Sequence, residues 1–491
     1  MRVQLGQGGV RGTTRDGVHA FHGIPYAAGP TGAARFAAPA PPPTWAGDLD
    51  ATRPGPTAPQ PDSRHPDVDF SSLSGPGWVK GRDYLTVQVH TPDPGAGRLP
   101  VMVFLHGGAF TSGSGSAPGY DGTRFAHHGV VLVTLNYRLG ISGYVAVRDA
   151  PPNRGLLDQL AALHWVRDNV AAFGGDPDNV TVFGESAGGM SVAALLAAAP
   201  RGLFRRAVAQ GGAGSSALTR AQAVAVAREV GAVLGTEPAA RALAALPDEA
   251  LVAALEPLAL RRPVPAPDPL LGLSPLSLVI DGEQLTDQPT GMVAAGAAAD
   301  VDVMVGHNRE ELNFYTVALG LSVPEEALPA LLAPLHPEPE RLLAAYRASG
   351  RGDLFPAVGT DIVFAHPTRT LAEAHAPHPG GTWRYEFTWR SPAYGGRLGA
   401  CHGLELPFVF DTVGRVDHGS FGIPDDDDEV RELARRTHDA WVRFATDGDP
   451  GWPRYTHEHP VVQHIGSEWT RTEHADGPER RMWDGVRTAR T

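Results

Sequence analysis

One strand–turn–helix pattern decides the fold of this chain: residues 179–196 read NVTVFGESAGGMSVAALL. Val180–Phe183 is an apolar, β-branched run that predicts a buried strand, and the small residues that follow the turn favour a helix. A G-x-S-x-G between a strand and a helix predicts a tight turn that exposes its serine, so Ser186 is a candidate nucleophile. Gly184 and Gly188 are expected where a side chain would collide with a neighbouring strand or helix. The alternative is a chance match, because the chain has 59 glycines.

Composition sets broad limits on the function. The chain has 491 residues and a net charge of −13, which argues against nucleic-acid and anionic-membrane partners. Its single cysteine, Cys401, excludes an internal disulfide. The sequence shows neither a secretory leader nor an apolar run of membrane-spanning length, so a soluble, cytoplasmic location is expected. The oligomeric state stays open.

Apolar strands alternate with helical patterns along the chain. Leu99–His106 and Val130–Asn136 are continuous apolar runs, and Asn153–Phe173 has apolar residues at helical spacing. This alternation predicts an α/β fold, with a central, mostly parallel sheet covered by helices on both faces.

Three segments depart from that alternation. Residues 27–81 are rich in Pro, Gly and Ala with little periodicity, which predicts a long loop that covers the active site. Residues 215–299 and 324–349 are Ala- and Leu-rich, and we expect helical insertions over the sheet. The whole chain, 1–491, is therefore predicted to be a single catalytic domain.

A serine nucleophile needs a base, usually a histidine, and a carboxylate that orients it. In this fold the order along the chain is serine, acid, histidine, at the carboxyl ends of later strands. The pair Glu310-Glu311 follows the predicted strand Val301–Gly306, and His402 lies in a glycine-flanked loop after Trp383–Trp389. This position favours His402 among 20 histidines but does not single it out, since an ordinary core or surface histidine is the alternative.

Longer motifs carry a resemblance to a known family. The chain resembles the type-B carboxylesterases of the α/β-hydrolase fold, and the run His402–Phe410 is most similar to their bacterial para-nitrobenzyl esterases. The resemblance extends from residue 23 to 453 and is most specific in the central block. Its motifs are GIPYA (23–27), HGGAF (106–110), NYRLG (136–140), NRGLLDQ (153–159), WVRDNV (165–170), FGGDP (173–177), FGESAGG (183–189) and HGLELPFVF (402–410).

The resemblance implies a role for each matching residue. Ser186 is the nucleophile, His402 the general base and Glu311 the orienting acid, with Glu310 as the internal rival. Glu185 corresponds to an acid close to the histidine. The oxyanion-hole donors are the backbone N–H groups of Gly108, Ala109 and Ala187.

Three positions depart from the family pattern. Gly211 stands where a serine usually supports the triad acid, and Leu312 stands where a glycine commonly follows that acid. Arg82-Asp83-Tyr84-Leu85 replaces Glu-Asp-Cys-Leu, so the family's disulfide and the acid that pairs with the arginine matching Arg35 are missing. Asp83 or another acid is then expected beside the two arginines.

The implied function is hydrolysis of small to medium carboxylic esters through an acyl-enzyme, without metal or cofactor. The HGGAF loop (106–110) is of the kind that goes with tertiary-alcohol esters in this family. The alternative is a non-catalytic, cholinesterase-like binding module. A metallohydrolase is weaker, because H-E-x-x-H is absent and His127 and His128 are adjacent.

Overall fold

The computed structural model of the chain describes residues 1–62, 68–474 and 476–486. The strands of this part are β1 (Arg2–Leu5), β2 (Gly8–Arg11), β3 (Thr13–Arg15), β4 (Val18–Pro25), β5 (Asp48–Asp50), β6 (Thr86–Thr91), β7 (Leu99–Leu105), β8 (Val131–Leu135), β9 (Gly175–Glu185), β10 (Arg206–Gln210), β11 (Asp302–Asn308), β12 (Thr382–Phe387), β13 (Val461–Ile465) and β14 (Thr470–Glu473).

The α-helices of the same residues are α1 (Ser71–Ser74), α2 (Thr123–His127), α3 (Gly140–Tyr144), α4 (Arg154–Asn169), α5 (Ala187–Ala198), α6 (Arg220–Leu234), α7 (Ala240–Ala244), α8 (Asp248–Ala253), α9 (Leu255–Arg261), α10 (Pro289–Ala294), α11 (Leu328–Leu332), α12 (Pro339–Ser349), α13 (Leu354–Thr360), α14 (His366–His375), α15 (Leu406–Val409), α16 (Asp428–Asp447) and α17 (Pro478–Arg481). Two π-helical turns, Phe314–Ala318 and Asp361–Ala365, lie between them.

Eleven strands form one sheet in the order β14-β13-β12-β11-β10-β9-β7-β8-β6-β4-β3. The seven neighbouring strands from β13 to β8 in this order are parallel to one another. β14 at one edge, and β6, β4 and β3 at the other, each pair antiparallel with their neighbours. Because parallel strands end at the same edge, the loops after β7, β9, β10, β11 and β12 converge there. The mostly parallel sheet expected from the sequence is confirmed.

A hydrophobic core lies on each face of this sheet, because alternate residues of a strand point to opposite sides. In β7, Val101 and Val103 belong to one core, with α4, α5 and α14. Met102 and Phe104 belong to the other, where Trp441 and Phe444 of α16 pack. Helices therefore cover both faces, as the continuous apolar strands predict.

The strands of the N-terminal region divide between two sheets. β1 and β2 pair antiparallel and form a separate three-stranded sheet with β5, whereas β3 and β4 close one edge of the large sheet. Residues 27–62 and 68–81 are mostly loop, with a 3-10 turn at Gly32–Phe36 and the helix α1. Residues 63–67 of the predicted covering loop lie outside the described residues.

The expected acid beside Arg35 is Asp248, in the helical segment that follows β10. Arg35 Nε lies 3.1 Å from Asp248 Oδ1, and the guanidinium also donates to the Leu246 carbonyl at 2.6 Å. Arg82 donates weakly to the Thr31 hydroxyl at 3.4 Å. The segment 215–299 thus supplies the charge that the family's local pair would have supplied.

The predicted insertions are helical where the structure describes them. Residues 215–299 contain α6 to α10, and residues 324–349 contain α11 and α12. No helix within the described ranges is both long enough and apolar enough to cross a membrane.

Candidate active site

Ser186 occupies a tight turn between β9 and α5. Its backbone has φ 59° and ψ −124°, and its N–H donates to the Gln210 carbonyl of the neighbouring strand at 2.9 Å. A side chain at Gly188 would overlap the Leu105 carbonyl, and one at Gly184 would meet the backbone of Gly188. Both glycines are therefore required by close backbone approaches, as the sequence predicts.

His402 lies between the serine and a buried carboxylate. In the neutral tautomer its Nδ1–H donates to Glu311 Oε2 at 2.7 Å, and the Ser186 hydroxyl donates to its Nε2 at 2.8 Å. Glu311 is fully buried, while Ser186 and His402 are 7% exposed. The structure therefore brings together the three side chains that the family resemblance singles out.

Glu310 and Glu311 have different surroundings although they are adjacent. Glu310 pairs with Arg390 and accepts the N–H of Ala400 at 2.8 Å, and a quarter of its side chain is exposed. Its carboxylate binds the loop that leads to His402, whereas Glu311 contacts the imidazole itself. The two acids are thus distinguished by contact and by burial.

Glu311 is held without the family's serine. The backbone N–H of Asn308 donates to Glu311 Oε1 at 2.6 Å. Gly211 has φ 50°, and a Cβ there would lie 3.2 Å from Glu311 Oε1, so a serine would stand beside the acid. The backbone of β11 supplies a hydrogen bond to the acid instead.

The side chain of Leu312 fits into the core because the residue that it packs against, on α13, is a glycine. Its side chain is fully buried, and a side chain at Gly359 of α13 would overlap it. Its N–H donates to the Thr360 hydroxyl at 3.1 Å. The space that Leu312 needs next to Glu311 is therefore available because Gly359 has no side chain.

Glu405 is a support that sequence reasoning missed. It is buried, and it accepts from Asn308 Nδ2 at 2.6 Å and from Gln210 Nε2 at 3.3 Å. The main chains of these two partners bind Glu311 and Ser186, respectively. The signal that could have revealed it is a carboxylate within an apolar run, three residues after the histidine. An apolar run predicts burial, and a buried charge needs hydrogen-bond partners.

Glu185 is a second carboxylate close to the imidazole. Its Oε1 lies 3.3 Å from His402 Nε2 and has no hydrogen-bond partner among the described residues. Burial alone would lower the pKa of His402, but the charges of Glu185 and Glu311 outweigh it and raise that pKa to about 9. Burial likewise raises the pKa of Glu185 to about 8. The two groups interact because the negative charge of the Glu185 carboxylate stabilises the His402 imidazolium, and the imidazolium in turn stabilises the carboxylate.

The loop after β7 has an uncommon backbone conformation, and its carbonyls contact hydrogen-bond donors of the protein. Gly108, Ala109 and Phe110 all have positive φ, of 105°, 53° and 63°. The Gly108 carbonyl accepts the N–H groups of Thr111 and Ser112, and the Ser274 hydroxyl lies 2.8 Å from the carbonyl oxygens of both Ala109 and Leu276.

The loop's N–H groups stay free. Those of Gly108 and Ala109 have no acceptor among the described residues. The N–H of Ala187, first in α5, has no intrahelical partner either. These are the three donors that the resemblance names.

A cavity of about 290 Å³ opens in front of Ser186. Its wall is mostly aromatic and apolar, with the glycine loop on one side. The apolar and aromatic residues that line it are Phe70, Leu73, Ala109, Tyr120, Phe314, Tyr315, Leu319 and Phe421.

The part of the chain that the structure describes contains no group of three or more His, Cys, Asp or Glu side chains placed to hold a metal ion. The metal- and cofactor-free reaction expected from the sequence stays a prediction.

The fold and this site define a class: an α/β hydrolase with a serine at the turn after a central strand. A solved structure of a PNB esterase matches with a TM-score of 0.87 and 36% identity, over 98% of this chain and 99% of that chain. The family model described as the carboxylesterase family matches residues 1–326 and 347–483.

The chain belongs to the carboxylesterase family and is a carboxylesterase. Among curated relatives, the para-nitrobenzyl esterase of Bacillus subtilis is 38% identical over 94% of each chain. The fumonisin B1 esterase of Sphingopyxis macrogoltabida is 34% identical over 91% of this chain and 83% of that protein. The family expectation from the sequence is confirmed.

We predict that Glu185→Gln lowers the pKa of His402, because it removes a negative charge that stabilises the imidazolium. The pH at which the His402 ring signals change in NMR measures this. Glu310→Gln is the matched control, since that carboxylate binds Arg390 and does not contact the ring. An unchanged His402 titration in Glu185→Gln would contradict the prediction.

Proposed function

We propose that the chain hydrolyses carboxylic esters through an acyl-enzyme formed on Ser186. As Ser186 Oγ attacks the ester carbonyl, His402 Nε2 takes its proton and Glu311 stabilises the imidazolium. The tetrahedral intermediate collapses as the bond to the alcohol oxygen breaks, and His402 returns the proton to the leaving alcohol. Water, deprotonated by His402, then attacks the acyl-enzyme and releases the acid and the free serine.

One observation carries this proposal: the continuous pair of hydrogen bonds from Ser186 through His402 to Glu311. The distance of 2.8 Å between Ser186 Oγ and His402 Nε2 allows direct proton transfer, and the distance of 2.7 Å between His402 Nδ1 and Glu311 Oε2 is that of a hydrogen bond that fixes the orientation of the ring. The contrast between the two acids supports Glu311 as the orienting group, because Glu310 is paired with Arg390.

The oxyanion of the intermediate needs donors that are already in place. The unpaired N–H groups of Gly108 and Ala109 belong to the loop that lines the Ser186 cavity, and Ala187 directly follows the serine. We assign this role to all three N–H groups, because they are unpaired and adjoin the serine. Losing one such donor typically reduces the rate by about 10²–10³-fold.

We further propose small to medium esters as substrates, including those of tertiary alcohols. The cavity of about 290 Å³ is at the small end of ligand sites. A tertiary alcohol places a quaternary carbon beside the scissile oxygen, and that carbon needs space next to the glycine loop. The contact between the Ser274 hydroxyl and the Ala109 carbonyl supports such space, because Ser274 is not among the residues that line the cavity.

An organophosphate is expected to label Ser186, once per chain, and to abolish hydrolysis of a chromogenic acetate ester, since only an activated serine reacts at a useful rate. Mass spectrometry of the labelled peptide measures this, and Ser186→Ala is the control. EDTA is expected to leave the activity unchanged. An unlabelled chain that hydrolyses no ester but binds one would favour the non-catalytic binding module.

Glu311→Gln is expected to reduce kcat by about 10⁴-fold while the protein stays folded, because the orienting negative charge is lost. Glu310→Gln is the matched variant, one residue away on the same loop, and we expect a much smaller effect on kcat. Steady-state kinetics on one primary ester, with melting temperatures for both variants, provide the comparison. The assignment is wrong if the two variants exchange these effects.

Ser274→Ala is expected to reduce kcat/KM for tert-butyl acetate roughly fivefold more than for ethyl acetate, because the Ala109 carbonyl loses its donor. Ser277→Ala is the matched control, since that hydroxyl donates to the Ser216 carbonyl instead. Ala109→Val would be a poorer test: at φ 53° a β-branched residue strains the loop itself. Equal losses on both esters would mean that only the oxyanion donors moved.

A further inference from the structure

The hydroxyl groups in the cavity wall differ in whether they have a partner. Those of Ser74, Thr111 and Ser112 each donate to a backbone carbonyl of their own segment, at 3.1 to 3.3 Å. The phenol oxygens of Tyr315 and Tyr120 have no hydrogen-bond partner within the described ranges. A polar group in an otherwise aromatic pocket is commonly the one that orients a ligand.

Tyr315 is the phenol that lies beside the reacting histidine. It belongs to the π-helical turn Phe314–Ala318, and its ring centre is 5.7 Å from that of His402. Tyr120 packs instead against Phe104, at 4.6 Å, and only 4% of it is exposed. Tyr315 is half-buried, so more of it faces the open cavity.

The position beside His402 determines which part of a substrate Tyr315 faces. His402 must reach the alcohol oxygen of the ester in order to return the proton, so the alcohol moiety lies next to the imidazole. Atoms two or three bonds beyond that oxygen come to the wall that Tyr315 and Phe314 form. The acyl chain is bonded to the carbonyl carbon and therefore extends from the opposite side of the scissile bond.

We propose that the Tyr315 hydroxyl is a specificity-determining hydrogen-bond donor for esters whose alcohol moiety carries an oxygen acceptor, such as an ether. The inference rests on the proposed ester hydrolysis and names its substrate class. Burial and the charges of Glu185 and Glu311 raise the pKa of Tyr315, so the phenol keeps its proton at neutral pH and can donate a hydrogen bond.

The test uses two esters of the same length, 2-methoxyethyl acetate and butyl acetate, which differ by an oxygen in place of a methylene. Tyr315→Phe removes only the hydroxyl. We expect it to lower the ratio of kcat/KM for the methoxyethyl ester to that for the butyl ester by roughly three- to tenfold, the value of one neutral hydrogen bond.

Two controls locate the effect. Tyr120→Phe removes the other unpartnered phenol, and we expect the same ratio as in the wild type. A second pair, ethyl 3-methoxypropanoate and ethyl pentanoate, places the oxygen on the acyl side, and Tyr315→Phe is expected to leave its ratio unchanged.

The inference is overturned if Tyr315→Phe leaves the first ratio unchanged, if only the acyl pair responds, or if Tyr120→Phe gives the loss instead. Its failure differs from that of the proposed function. If the wild type hydrolyses both acetates, Ser186→Ala hydrolyses neither and the ratio does not move, only the inference on Tyr315 is wrong. If the wild type hydrolyses no ester, the proposed function fails and the inference fails with it.

Discussion

The backbone at Ser186, with φ 59° and ψ −124°, has a conformation that a residue with a side chain adopts only when its surroundings impose it. Three contacts impose it here: the Gly188 backbone against Leu105, the Ser186 N–H on the Gln210 carbonyl, and the start of α5 immediately afterwards. The hydroxyl is thereby fixed at the edge where the seven parallel strands of the sheet end. Every other group in the site is arranged around that oxygen.

The second constraint is electrostatic. Three carboxyl groups, those of Glu185, Glu311 and Glu405, are buried close to one histidine, and burying a charge without a partner is expensive. Glu311 is satisfied by the Asn308 N–H and by the imidazole. Burial raises the pKa of Glu405 to about 7, and its hydrogen bond from the Asn308 side chain offsets part of that effect. Among the described residues Glu185 Oε1 accepts no hydrogen bond and lies 3.3 Å from His402 Nε2, so an imidazolium formed in the proposed reaction would be stabilised by this carboxylate.

Much of this could be predicted from the sequence, because strong local patterns determine it. The apolar runs of β7 and β8 and the glycines of the serine turn each have one physical explanation, and the structure agrees with them. The elements near the C-terminus, β13 and α14, were not predicted, since β13 is short and α14 begins with His366-Pro367. The Arg35–Asp248 contact and the Leu312–Gly359 packing lie beyond sequence reasoning, because each joins residues far apart in the chain.

Because contacts between distant residues cannot be predicted from the sequence, the reaction class is easier to predict than the substrate specificity. The side chains of the proposed triad lie at strand ends and in turns, which local sequence patterns predict. The groups that shape the cavity come from long connections: Phe70 lies in the covering loop, Ser274 belongs to the helical insertion, and Tyr315 lies on a π-helical turn. Ser274 contacts the Ala109 carbonyl, in the loop after β7, although the two residues are 165 positions apart in the chain. A change in such a connection can therefore alter the space around the ester and leave the serine, histidine and acid in place.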